Sequence, residues 1–211
     1  MKLTIIYDNT TRDRALTPDW GFACLVETAD KKILFDTGAR GNILLDNMNK
    51  LGLDPLLVDE MFISHDHWDH TGGMADFFAI KQVPCYVPQV FTTKAGPEAI
   101  RVGSKVQKLH DKIWSTGTLA AIEHALVIEQ DRGGIVIAGC SHPGVGTILE
   151  AAGKIGRVSA LIGGLHGFSN LEAIRGLDLV CPTHCTQHIQ PIADQYPDIY
   201  VAGGAGRTLT V

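Results

Sequence analysis

The run Ser64-His65-Asp66-His67-Trp68-Asp69-His70-Thr71-Gly72-Gly73 decides how the chain is read. Three histidines and two aspartates follow the apolar residues Met61-Phe62-Ile63 almost directly. A packed core has no use for such a cluster, whereas neutral imidazoles and carboxylates are ligands that suit zinc, iron or manganese. Residues 60–64 read as a strand that delivers the cluster to a loop. Gly72-Gly73 then lets the backbone turn tightly into a helix over 74–80. Asp66 and Trp68 alternate with the metal-binding candidates and point away from them, although Asp66 can still orient a ligand imidazole through a hydrogen bond.

The same rhythm recurs along the chain. Strand-like runs end in Asp36, in Gly139-Cys140-Ser141-His142, in Gly163-Gly164-Leu165-His166 and in Pro182-Thr183-His184-Cys185. A layered α/β arrangement collects loops from strand ends at one edge, so these residues can converge. The early half reads as hairpins: 2–7, then 22–28 and 32–35 joined by Ala29-Asp30-Lys31. A helix over 41–51, with apolar residues at 43, 44, 45, 48 and 51, stops at Gly52. The later half alternates strand and helix: strands at 119–124, 125–129, 135–138, 160–162, 178–181, 200–201 and 208–211, and helices at 146–153, 171–174 and 186–196. Residues 88–118, broken by Pro88, Gly96, Pro97, Gly103 and Gly117, read as a long irregular segment, either a lid or substrate loop or a surface insertion.

Composition narrows the class. A chain of 211 residues, 45% hydrophobic and 19% charged, reads as one domain over 1–211 with a large core. A net charge of −5 argues against a nucleic-acid partner held by phosphate contacts. No apolar run is long enough to span a membrane, and Met1–Asp8 carries too short an apolar stretch for a signal peptide. Five scattered cysteines, Cys24, Cys85, Cys140, Cys181 and Cys185, do not form a disulfide framework. The expectation is a cytoplasmic protein acting on a small molecule; the sequence assigns no oligomeric state.

Taken together, Asp8-Asn9, Trp20-Gly21-Phe22, Leu34-Phe35-Asp36-Thr37-Gly38, His65-x-His67-x-Asp69-His70, Gly139-Cys140-Ser141-His142-Pro143-Gly144, Gly163-Gly164-Leu165-His166 and Pro182-Thr183-His184-Cys185-Thr186 resemble the metallo-β-lactamase superfamily. The finer matches resemble its subgroup that includes a dihydropterin ribofuranosylaminobenzene 5′-phosphate synthase of methanopterin biosynthesis. The resemblance implies an α+β fold, a four-layer αβ/βα sandwich with a metal centre at one edge. It implies two divalent ions, zinc first, with iron or manganese as alternatives. His65, His67 and His142 would hold one ion, and Asp69, His70 and His184 the other. Asp36 would act from behind the ligands, with Asp8 and Asn9 lining the same edge. Asp69 and His166 are the catalytic candidates, His166 as ligand, general acid or phosphate-binding group, with a hydrogen-bonded structural role as its plain alternative.

One departure matters. The superfamily usually carries a Gly-Asp whose aspartate bridges the metals; here the strand ends in Gly139-Cys140-Ser141-His142. Cys140 can occupy that place, or His142 can do the whole job, and a single or unequal pair of ions stays open. His124 is a weak substitute ligand with a structural or solvated role. His110, His188 and Cys185 read as structural or packed.

The leading expectation is hydrolysis of an ester or phosphodiester by a metal-activated hydroxide. The subgroup also implies a transferase that joins a pterin diphosphate to an aminobenzene ribofuranoside phosphate, for which Arg40, Arg101, Lys105, Arg157 and Arg207 are unranked phosphate-binding candidates. A non-catalytic, metal-stabilised binding module and an iron-dependent redox role complete the alternatives.

Overall fold

Strand β1 (Lys2–Tyr7) pairs antiparallel with β2 (Ala23–Glu27), and β2 forms a hairpin with β3 (Lys32–Phe35). The computed structural model describes residues 1–211. From β3 the sheet becomes parallel: β4 (Glu60–Phe62), β5 (Cys85–Pro88) and β6 (Ala99–Val102) follow in order. Helix α1 (Gly41–Lys50), the short helix α2 (Trp68–Thr71) and α3 (Met74–Ile80) lie in the connections.

The second sheet starts with β7 (Gln107–His110), β8 (Ile113–Ser115) and β9 (Leu126–Ile128), all antiparallel neighbours. Next comes β10 (Gly134–Ala138), paired antiparallel with β9 across the Asp131-Arg132-Gly133 turn. Helix α4 (Val145–Gly153), β11 (Val158–Gly164), β12 (Leu179–Thr183) and α5 (Ile189–Gln195) then give two parallel pairings, β10–β11 and β11–β12. The last strand, β13 (Thr208–Thr210), returns to pair with β1. The result is a seven-stranded sheet, β13-β1-β2-β3-β4-β5-β6, and a six-stranded sheet, β12-β11-β10-β9-β8-β7.

The alternation of side chains along the strands accounts for the layers. In β3, Ile33 and Phe35 face the core between the sheets, where they meet Leu126, Ile135, Ile137 and Ile162 of the other sheet. Leu34 faces outward and packs with Ile43, Leu44 and Met48 of α1 and Phe77 of α3. On the outer face of the second sheet, Val136, Leu161 and Val180 pack with Ile148 of α4 and Ile192 of α5. Central strands buried on both faces read as continuous apolar runs. The order helix, sheet, sheet, helix is the expected αβ/βα sandwich of an α+β fold. Helix α1 ends as its sequence predicts: Gly52, at φ 68°, and Leu53 donate back to Asn49 and Met48, the Schellman closure. No helix is long and apolar enough to cross a membrane.

Three sequence expectations need correction. Residues 88–118 are not irregular throughout: β6, β7 and β8 fall within them. Both β6 and β7 are edge strands, and most of their residues face solvent. Such edges carry polar residues, so the apolar signal of a strand is absent. Residues 119–124 form turns and isolated bridges rather than a strand, with Glu123 bridging to both His65 and Leu119. Residues 200–201 contribute only a bridge from Tyr200 to Val180.

Candidate metal centre

The parallel strands β3, β4, β10, β11 and β12 deliver Asp36, His65, His142, His166 and His184 just beyond their C-terminal ends. The imidazole rings gather there. His65 lies 4.5 Å from His67, 4.2 Å from His70 and 4.8 Å from His142, and His70 lies 5.1 Å from His184, between ring centroids. Four of the turns that present these groups use a left-handed backbone at a residue other than glycine: Asp36 (φ 54°), Ser141 (61°), His166 (47°) and His184 (47°). Such conformations cost on the order of 1–2 kcal/mol each, and here they cluster where side chains must be aimed.

Asp36 is fully buried and organises the first half of the centre. Its Oδ1 accepts the Ser64 N–H at 2.7 Å, and its Oδ2 accepts the Ser64 hydroxyl at 2.7 Å. The same Oδ2 stands 2.7 Å from His70 Nδ1. Since the single Ser64 hydroxyl proton goes to Asp36, Ser64 Oγ accepts from His65 Nδ1 at 2.9 Å. Both rings therefore carry their proton on Nδ1 and present Nε2 as a free lone pair. A third ring is set the same way: His184 Nδ1 lies 2.9 Å from Asn9 Oδ1, while Asn9 Nδ2 donates to the His184 carbonyl and Asp8 Oδ1 accepts the His184 N–H. Asn9 and Asp36 thus act on imidazoles from behind, as such partners do in metal sites, while Asp8 holds the His184 backbone.

The Nε2 atoms of His65, His142 and His184 are buried and have no hydrogen-bond partner. An orphaned buried nitrogen costs about 1–3 kcal/mol, and three of them among clustered imidazoles call for occupants. The candidate ligand atoms form two groups, His65–Cys140–His142 and His70–Cys140–His184, each with all atoms within 4.8 Å of one another. Divalent ions of the zinc class fit this donor set. Asp69 Oδ2 lies 3.2 Å from His184 Nε2 and 4.0 Å from His70 Nε2, and it accepts the Trp20 indole N–H at 2.9 Å. His67 is exposed and stacks edge-on between His65 and His142 outside the two groups. His166 is exposed too, with its ring 5.1 Å from His142.

Protonation favours ligand-ready rings at His65 and His142. Burial, with the neighbouring His70, pulls His65 well below its ordinary pKa; burial and His67 bring His142 down to about 4. Burial opposes charge on His70, but the Asp36 carboxylate overrides it and raises the pKa. Burial also opposes charge on Asp69, yet the His184 and His70 imidazoles hold it ionised, well below the usual carboxylate range.

Other candidates are placed elsewhere. His124 is buried, donates from Nε2 to the Ile63 carbonyl at 2.8 Å, accepts from the Ser115 hydroxyl at Nδ1 and stacks on Phe62 at 4.0 Å; its role is structural. His110 pairs with Glu60 at 2.8 Å. Asp66 accepts from Thr92 and Thr93, tying the loop after β5 to the histidine turn. Of the phosphate-binding candidates, Arg40 pairs with Asp19 and Arg157 with Asp178. Arg101 and Arg207 donate to backbone carbonyls.

Two groups were given no site role by the sequence. Glu123, fully buried, accepts the N–H groups of Gly139, Cys140 and Ser141 at Oε1 and that of His142 at Oε2, all within 2.8–3.1 Å. Its only signal was a lone acid in an otherwise apolar run. Trp20, half exposed, covers His184 edge-on at 5.2 Å between centroids while holding Asp69.

A fold of two sheets between helices, with a histidine-lined centre at the strand ends, defines a metallo-hydrolase architecture. The chain belongs to the metallo-β-lactamase superfamily: the family's sequence model matches residues 16–150, more than half of its length. Among curated proteins it is 26% identical to 7,8-dihydropterin-6-methyl-4-(β-D-ribofuranosyl)-aminobenzene-5′-phosphate synthase of Methanocaldococcus jannaschii, across 81% of this chain and 83% of that one. Among solved structures it superposes on a metal-dependent hydrolase of the β-lactamase superfamily with a TM-score of 0.80 and 22% identity, covering 100% of this chain and 99% of the other. Human tRNase Z, short form, follows with a TM-score of 0.67 and 15% identity over 100% and 99% of the two chains. At these identities the solved structures establish the fold.

Proposed function

We propose that the protein is a metal-dependent hydrolase of ester or phosphodiester bonds, with two divalent ions, zinc first, held by His65, His67, His142, Asp69, His70 and His184. The observation that carries this reading is the set of three buried, unpartnered Nε2 atoms on His65, His142 and His184, each on a ring whose orientation other residues fix or crowd. Bound divalent ions supply Lewis acidity, polarising a substrate oxygen and making water nucleophilic near neutral pH. The chain's own residues do the rest. Asp36, Ser64 and Asn9 keep the imidazoles in one tautomer. Trp20 restrains Asp69, whose carboxylate stays ionised and available beside His184. His166, exposed next to His142, would donate a proton to a leaving oxygen or bind an anionic group. The protein would act on a small molecule, in the cytoplasm.

Hydrolysis of an activated phosphodiester and of an activated carboxylic ester tests this reading, with the protein as purified, after chelation, and after zinc is restored. Activity should disappear on chelation and return with zinc, and His67→Ala and Asp69→Ala should lower it by orders of magnitude. Undiminished turnover by a metal-free preparation would sink the idea.

A second reading follows from the Methanocaldococcus relative, whose name is that of a synthase. On it, a pterin diphosphate would be displaced by an aminobenzene ribofuranoside phosphate at the same centre. Release of diphosphate that depends on both substrates would favour this over hydrolysis; release without the second substrate would favour hydrolysis.

A further inference from the structure

We propose that Cys140 is the ligand shared by both metal positions, a bridging thiolate, and that the centre is thereby built for thiophilic divalent ions. The inference rests on the metal-centre reading and deepens it.

The sulphur is the one atom common to both ligand groups, His65–Cys140–His142 on one side and His70–Cys140–His184 on the other. Neither group contains a carboxylate. Asp69 approaches only the His70–His184 side, at 4.0 and 3.2 Å from their Nε2 atoms. Cys140 Sγ lies 3.2 Å from His70 Nε2. In the neutral ring, with its Nδ1 proton engaged by Asp36, Nε2 is the acceptor and the thiol is the donor. Ligand bonds of about 2.3 Å to sulphur and about 2.0 Å to nitrogen in a tetrahedral site put those two donors roughly 3.5 Å apart. The observed separation is already close to that, so an ion can replace the thiol proton with little movement. The remaining donors need to close by about 1.5 Å at most, given the 4.8 Å limit of each group.

The backbone holds the sulphur there. Glu123 Oε1 accepts the N–H groups of Gly139, Cys140 and Ser141, which fixes the turn, and Ser141 adopts φ 61°. Position 139 must be glycine, because a Cβ there would run into Ser64 Oγ, the hydroxyl that orients His65. Cys140 is buried, so its placement is not a matter of surface chance. Beside it, Cys185 directs its thiol to the Cys140 carbonyl at 3.8 Å and belongs to neither ligand group. A thiolate among imidazoles selects zinc, cobalt or cadmium over magnesium and manganese.

Cobalt(II) reports on this directly. The full chain, loaded with cobalt after chelation, should show an intense near-ultraviolet thiolate-to-cobalt absorption. Metal analysis should give two cobalt ions per chain, and X-ray absorption at the cobalt edge an average of about one sulphur neighbour per ion, which together are the count for a shared ligand. Cys185→Ser should keep both signals, and Cys140→Asp should bind cobalt and lose both. Bound cobalt with no sulphur neighbour overturns the proposal, as does a single ion per chain or an average near half a sulphur per ion, since each of these last two means a thiolate on one ion only. Loss of the signals in Cys185→Ser but not in Cys140→Asp would also overturn it. Failure to bind cobalt at all brings down the metal-centre reading with it. Sulphur-ligated cobalt without turnover of any ester removes only the hydrolase reading.

Discussion

Asp36 Oδ2 lies 2.7 Å from His70 Nδ1 and at the same time accepts the Ser64 hydroxyl at 2.7 Å. Through Ser64 it also reaches His65 Nδ1, 2.9 Å further on. One carboxylate therefore sets the tautomer of two imidazoles, one in each ligand group. Asp36→Asn keeps the shape but can place an amide donor against a donor. Zinc affinity, read by competition with a chromophoric chelator, should fall roughly 10–100-fold, the usual cost of losing such a partner. Ser64→Ala should weaken it less, since it releases only the His65 branch. Unchanged affinity in Asp36→Asn would mean that the rings are held by packing alone.

Glu123 supports the other half of the centre. Glu123→Gln retains an oxygen for Gly139, Cys140 and Ser141 but turns an amide N–H toward the His142 N–H that Oε2 now accepts. A buried donor left without its charged acceptor costs about 1–3 kcal/mol. Chemical denaturation of the metal-free protein should show a loss of that size, and zinc affinity should fall because His142 and Cys140 share the loosened turn. Wild-type stability in this variant would show that Glu123 is a passenger.

How much of this could be read beforehand depends on where the chemistry is written. The His65–His70 cluster and the strand-end histidines announced a metal centre because residue type and position both appear in the sequence. Glu123 and Ser64 act through backbone amides and a hydroxyl brought together only by the fold, and no local pattern marks them. His124, a weak ligand candidate read as structural or solvated, is structural: its ring is spent on Ile63 and Ser115. Core strands such as Ile33-Leu34-Phe35 declared themselves by apolar runs. The edge strands β6 and β7 did not, because most of their side chains meet water and their polar residues read as loop.

Metal removal should cost stability as well as activity. Three imidazole Nε2 atoms are left buried and unpaired when nothing occupies the centre, and an ion that binds only the folded chain stabilises it by mass action. At zinc a thousandfold above its dissociation constant the gain is about 4 kcal/mol, which for a chain of this size raises Tm by roughly 8–16 °C. Scanning calorimetry of the chelated and zinc-restored protein measures it. Equal transitions in both would argue that the histidine cluster does not bind metal in the folded state.

His124 makes the metal-free fold sensitive to acid. Burial pushes its pKa from the ordinary 6.5 down to about 3, only partly countered by the Ile63 carbonyl. Between those two values the unfolded chain binds a proton at this ring and the folded chain does not. Stability is therefore whole above pH 6.5, falls as pH drops through that window, and the loss is complete below about 3. The slope from this one ring approaches about 1.4 kcal/mol per pH unit. His124→Phe, which keeps a ring against Phe62, gives up two hydrogen bonds and should be less stable than wild type by about 1–3 kcal/mol at pH 7. It has no proton to gain, so the gap should narrow on acidification and vanish or reverse near pH 4.5. Urea unfolding at both pH values, with chelator present so that metal release does not contribute, decides the matter. A gap that stays constant would show that the ring is not held neutral by burial.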